Sequence, residues 1–148
     1  GANLKGANLT FANLNGAELA GADLRRAKIT NTNLRGANLE GADLREASFS
    51  RTELIGANLK NANLSDVRLE GTLANANLQG ANLSGADLRM AYLAGADLRG
   101  IRGDKERMII QAIAMPGSCG MSYAFDGRPA FLPNDPLDPW QRPFGWQR

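Results

Sequence analysis

An apolar residue returns at every fifth position along this chain: Leu4, Leu9, Leu14, Leu19, Leu24, Ile29, Leu34, Leu39, Leu44, Phe49, Leu54, Leu59, Leu64 and Leu69. That period excludes both regular elements. On an α-helix a step of five residues turns by about 140°, which scatters the leucines over every face. On a straight strand an odd step sends alternate leucines to opposite faces. If the chain instead bends by a quarter turn once per phrase, each central residue points inward, and so does the Ala two places before it. Four phrases then close one coil, and successive coils stack at the strand spacing of roughly 4.8 Å, pairing backbone groups between layers. The phrase is cleanest in Gly36-Ala37-Asn38-Leu39-Glu40-Gly41-Ala42-Asp43-Leu44-Arg45. Alanine suits an interior that two side chains per edge must share, and Gly after Leu-x suits the corner.

Counting four phrases per turn gives coils at residues 1–20, 21–40, 41–60, 61–79 and 80–99. The fourth is one residue short, because only Glu70, Gly71 and Thr72 separate Leu69 from Leu73. Phase recovers with Leu78, Leu83, Leu88, Leu93 and Leu98. Numbering the four sides from the first phrase, side two holds Leu9, Ile29, Phe49, Leu69 and Leu88. Departures from the consensus are Glu18, Lys28, Ile29, Thr32, Ser48, Phe49, Thr52, Glu53, Val67, Arg68, Gly71, Thr72 and Tyr92. All but Glu18 fall on sides two and three. The corner between those sides is expected to stack Phe11, Asn31, Arg51, Gly71 and Met90, while side four stays plain.

With this phrase repeated some nineteen times, the chain resembles the pentapeptide-repeat family, whose pattern is Ala, Asp or Asn, Leu, then two variable residues. The resemblance covers about two thirds of the length. It implies an all-β solenoid, a right-handed quadrilateral β-helix of about five coils; the handedness comes from the resemblance and not from the spacing. Members of this family are abundant in cyanobacteria and plastids, some in the thylakoid lumen, so the resemblance is compatible with a photosynthetic setting, thylakoid-associated or cytoplasmic. No residue here names a compartment.

A domain organisation follows: residues 1–100 as the β-helix, 101–116 as a capping helix and 117–148 as an extended tail. Asp104 can cap a helix running to about Met115, with an apolar stripe of Met108, Ile109, Ala112, Ile113 and Met115, before Pro116-Gly117 stops it. Such a lid would cover the unpaired strand edge that a solenoid leaves at its end. At the other end the phrase starts at Gly1 in mid-repeat, so the first coil is expected to need a preceding segment, a second copy stacked end to end, or another protein. From Pro116 to Arg148 lie all six prolines and both tryptophans. Phe131, Trp140, Phe144 and Trp146 there are expected to anchor the tail in a larger assembly.

The chemistry of the chain points away from catalysis. It has no histidine, the commonest general base and metal ligand, and a single cysteine, Cys119, with no histidine to activate it. No catalytic, cofactor-binding or metal-binding residues are assigned. No run of 18 apolar residues exists, so no membrane span is expected. The net charge of +2 is too small for a nucleic-acid footprint. Acids and bases interleave, as in Asp23-Leu24-Arg25-Arg26 and Asp43-Leu44-Arg45-Glu46, which reads as a charge-balanced surface. The candidate partner-binding residues are Phe11, Lys28, Arg51, Arg68, Met90 and Tyr92, because exposed aromatics and arginines are the usual anchors of interfaces. The expected role is a structural or scaffold protein acting through protein–protein contacts. The alternative is mimicry of duplex DNA, known among family members that bind type II topoisomerases. It needs an acidic surface, whereas residues 1–100 carry eleven basic and ten acidic side chains.

Overall fold

A computed structural model describes residues 1–103. The helix expected from Asp104 and the Pro/aromatic tail lie outside the described residues. Within them the backbone is a curled parallel sheet with no helix. Residues pair with those twenty places further on, as in Asn3↔Asp23, Asp23↔Asp43, Asn13↔Asn33 and Asn38↔Asn58. The rows this creates are the four sides anticipated from the period. Side one runs Asn3, Asp23, Asp43, Asn63, Asn82, Arg102, and side four runs Glu18, Asn38, Asn58, Asn77, Asp97. Pairs that straddle the short step, such as Asn58↔Asn77, are nineteen apart.

Each row buries its leucine and the alanine before it. Leu39, Leu44, Leu59 and Leu64 are fully enclosed, as are Ala22, Ala27, Ala37 and Ala42. Each enclosed leucine contributes about 1.5–3 kcal/mol. Phe49, in the leucine column, and Val67, in the alanine column, are both buried on side two. The asparagine or aspartate of the phrase faces outward and makes the corner: the side-chain oxygens of Asn3, Asn13, Asp23 and Asn38 each accept the backbone N–H two residues on, at 3.1–3.2 Å. Short polar side chains are preferred in turns for this reason. The corner residue then takes positive φ, between 49° and 70°, along the chain from Gly6 to Gly100. Glycine fills many of these corners without strain. Phe11, Arg26, Glu46 and Arg51 adopt the same left-handed geometry despite their Cβ atoms.

Extended strands form only on sides two and three. These are β1 (Lys28–Thr30), β2 (Ser48–Ser50), β3 (Thr52–Glu53), β4 (Arg68–Thr72) and β5 (Asp87–Tyr92). β1, β2 and β4 begin where Lys28, Ser48 and Arg68 replace the corner-making Asn or Asp. Ile29, Thr30 and Thr52 are β-branched, which favours the extended chain. Two buried threonines tie side three to side two. The Thr52 hydroxyl donates to the Ile29 carbonyl at 2.6 Å, and that of Thr32 donates to the Leu9 carbonyl at 2.8 Å.

The register corrects one expectation. Gly71 does not stand in the corner row between sides two and three: it pairs with Thr52 above and Ala91 below, and Glu70 pairs with Met90. The missing residue is therefore the one that elsewhere follows the leucine: Arg68 still pairs with Ser48, Glu70 takes the corner place against Met90, and Gly71 occupies the inward slot that alanine fills elsewhere. A Cβ there would overlap the Thr52 carbonyl oxygen, so the shortened coil closes only because that residue is glycine. Neither Glu70 nor Met90 is left-handed. β4 and β5 instead cross the corner as extended chain.

Candidate functional site

The outward side chains divide into two populations. Wherever the sequence reads Asp-Leu-Arg, the arginine folds back on the aspartate as a two-point clip. Arg25 meets Asp23 at 2.8 and 2.6 Å, Arg45 meets Asp43 at 2.9 and 2.7 Å, and Arg99 meets Asp97 at 2.9 and 2.6 Å. Arg89 and Asp87 repeat the geometry at 2.9 and 2.6 Å. The hydrogen bonds from Arg25 hold the Asp23 carboxyl at about 2, and those from Arg89 do the same for Asp87. Between coils, Arg26 reaches Glu46 at 2.8 Å, and Asn38 bridges Glu18 and Asn58 at 2.9 and 3.2 Å. Three of the four clips lie on sides one and four; side two holds the Arg89–Asp87 clip, and on side three Arg35 meets Glu53 at 3.6 Å.

On the edge of sides two and three, Lys28, Arg51 and Arg68 are exposed and form no ion pair among the described residues. Lys28, Ser48 and Arg68 follow one another down side two in register. That places the lysine and the second arginine two strand spacings, or roughly 10 Å, apart. Arg51 sits at the corner beside them. The large exposed apolar residues are Phe11, Met90 and Tyr92, at 77%, 48% and 43% exposure. β5 carries both Met90, on the corner row, and Tyr92, on side three, in the coil below Arg68 of β4. Phe11 lies on the same corner row four spacings above Met90, roughly 19 Å away, and is not part of the same patch. Phe131, Trp140, Phe144 and Trp146 lie outside the described residues.

The structure adds residues that the sequence reading passed over. Ile55, Ala74 and Ala94 each follow a side-three leucine, and they stack: Gly56 N–H donates to the Ala74 carbonyl, and Asn75 N–H to the Ala94 carbonyl, at 2.9 and 2.8 Å. All three are half-buried. The same slot holds Lys5, Arg25 and Arg45 on side one and Glu40, Lys60 and Arg99 on side four. An apolar residue in this variable slot, three coils running, was the available signal.

Among the described residues no group of histidine, cysteine or acidic side chains could hold a metal ion, and no helix is long and apolar enough to cross a membrane. What the fold and this surface define is a parallel β-solenoid with a five-residue period and an unsatisfied edge. Family comparison agrees: the model for pentapeptide repeats matches in eight copies over residues 2–41, 32–71 and 72–102. The chain belongs to the pentapeptide-repeat family, whose members form right-handed β-helices and are in general non-enzymatic structural or interaction proteins. Solved structures with similar chains include a pentapeptide repeat protein from the Arabidopsis thaliana thylakoid lumen, 27% identical, covering 78% of both chains at a TM-score of 0.49. A pentapeptide repeat protein from the cyanobacterium Cyanothece 51142 is 32% identical over 70% of this chain and 85% of its own, at 0.34. HetL of Nostoc sp. strain PCC 7120, a protein involved in heterocyst differentiation regulation, is 35% identical over 68% of this chain and 51% of its own, at 0.28. No curated protein matches the chain.

Proposed function

We propose that this chain is a non-enzymatic scaffold whose β-helix of five coils presents the edge between sides two and three to a protein partner. One observation carries the reading: Lys28, Arg51 and Arg68, which form no ion pair among the described residues, and the exposed Met90 and Tyr92 gather on that edge, while the Asp-Leu-Arg arginines are neutralised by their own aspartates. Arginine and large exposed apolar side chains are the groups that interfaces bury. A stacked solenoid holds them on a rigid backbone, which lowers the ordering cost of association. The Pro/aromatic tail supplies a second hold, making the chain a small subunit docked into a larger assembly through Phe131, Trp140, Phe144 and Trp146. Near-neutral charge on the coil speaks against a DNA-mimic role.

The test is affinity capture from the native source with four baits: the full chain, Arg51→Glu with Arg68→Glu, the chain lacking residues 117–148, and both changes together. Partner recovery is expected to fall at least about tenfold for the charge variant, equivalent to about 1.4 kcal/mol. It should fall further for the combination, with the β-sheet circular dichroism retained. Undiminished recovery by the well-folded charge variant overturns the edge as a docking site.

A further inference from the structure

The edge also carries information about the chemistry of what docks on it. We propose that its occupant is an acidic segment of a protein, lying along the stacking axis with carboxylates on Lys28 and Arg68 and an apolar side chain over the Ile55–Ala74–Ala94 strip. This rests on the docking role given above and goes beyond it by naming the partner's chemistry.

Charge complementarity is the first ground. Lys28, Ser48 and Arg68 form a basic row in strict register, with Arg51 on the adjoining corner. The carboxylates on this side and its two corners are Asp87 and Glu70 below, and Glu46, held by Arg26 at 2.8 Å, and Asp66 on the corner shared with side one. Asp87 lies below Arg68 but is held by Arg89 at 2.6 Å, and Glu70 forms no ion pair among the described residues. These two acids bound the basic stretch from below, so a partner's carboxylates are best placed at and above Arg68. Two carboxylates roughly 10 Å apart would meet both ends of the row. That separation occurs between residues three apart in a polyproline II segment or seven apart on a helix.

The second ground is the corner that β4 and β5 cross. Both run through it as extended chain, so Met90 on the corner row separates Arg68 on side two from the exposed Tyr92, which precedes Leu93 and Ala94 on side three. A polyanion that binds through phosphates alone has no use for that apolar half. Nucleic acid would also need a denser cationic field than three side chains on a nearly neutral coil. A protein segment that mixes acidic and apolar residues uses both halves.

The probe is a random copolymer of glutamate and tyrosine, titrated into the isotope-labelled full chain and followed by amide chemical shifts. Polyglutamate, oligo-dT and phosphatidylserine vesicles serve as controls. The copolymer is expected to shift Lys28, Ser48, Arg68, Ala74 and Tyr92, to bind more tightly than polyglutamate, and to weaken as salt is raised. Lys28→Glu with Arg68→Glu should lose about tenfold or more in affinity, and Lys60→Glu on side four should leave it unchanged. The proposal is overturned if the copolymer shifts none of these residues, if Lys60→Glu weakens binding as much as the double variant, or if oligo-dT or the vesicles bind as tightly. Should the Arg51→Glu, Arg68→Glu bait lose its captured partner while the copolymer fails to bind, the acidic chemistry falls and the docking edge stands.

Discussion

Sides one and four and sides two and three share one core and one backbone spacing, yet they treat their surfaces in opposite ways. On the first pair, Asn or Asp makes most corners, glycine commonly fills them, and three of the four Asp-Leu-Arg clips lie there, the fourth being Arg89–Asp87 on side two. On the second pair those devices are replaced by Lys28, Ser48, Arg68, Thr72 and Tyr92, the chain extends into strands, and cations and apolar groups are left without partners. The core does not require this difference, since Leu39 on side four and Leu69 on side two are equally enclosed. A repeat protein therefore has two separable layers of sequence. The inward residues specify the coil, and the outward ones specify which face is left unfinished.

The largest expected effect tests whether the shortened coil depends on its glycine. Gly71→Ala should destabilise by about 3 kcal/mol, because its Cβ overlaps the Thr52 carbonyl, which backbone pairing holds in place. Inserting one residue between Leu69 and Glu70, where the register shifts, should restore tolerance of alanine in chemical denaturation. Equal stability of Gly71→Ala without the insertion would show that the short step has slack. A smaller effect of opposite sign probes the strained corners. Arg51→Gly and Phe11→Gly should each stabilise by about 1 kcal/mol, or raise the melting temperature by about 4 °C, because glycine takes positive φ without cost. A lowered melting temperature would mean that these side chains support the fold rather than a partner.

The smallest effect concerns the clips. Asp23 and Asp87 are held at about 2 in the folded chain by their arginines, below the value of a free aspartate. Their contribution is present above the unfolded-state value and is lost as pH falls through the folded one. Thermal melts between about pH 5 and 2 should therefore show stability declining, and Asp23→Asn with Asp87→Asn should flatten part of that decline. An unchanged slope would mean that the clips add nothing to stability.

Much of this was legible before any coordinates. The inward column, the four rows, the position of the short coil and the clustering of departures on two sides all follow from counting in fives. Lys28, Arg51, Arg68, Met90 and Tyr92 stand out as lapses of the phrase. Two things were not legible. Counting in fives places Gly71 in the corner row, although backbone pairing sets it against Thr52. Ile55, Ala74 and Ala94 sit in a variable slot where any residue is allowed, so their meeting shows only when the coils are laid over one another.

The amino-acid sequence by itself determined the coil, because burying one leucine and one alanine per phrase admits only a chain that bends at every fifth residue. The tertiary structure alone decided where the missing residue is absorbed and that extended chain crosses the corner between sides two and three in the last two coils. Both depend on which backbone groups pair across layers nineteen or twenty residues apart. Pairing at that range is a property of the stacked coil, and no single phrase contains it.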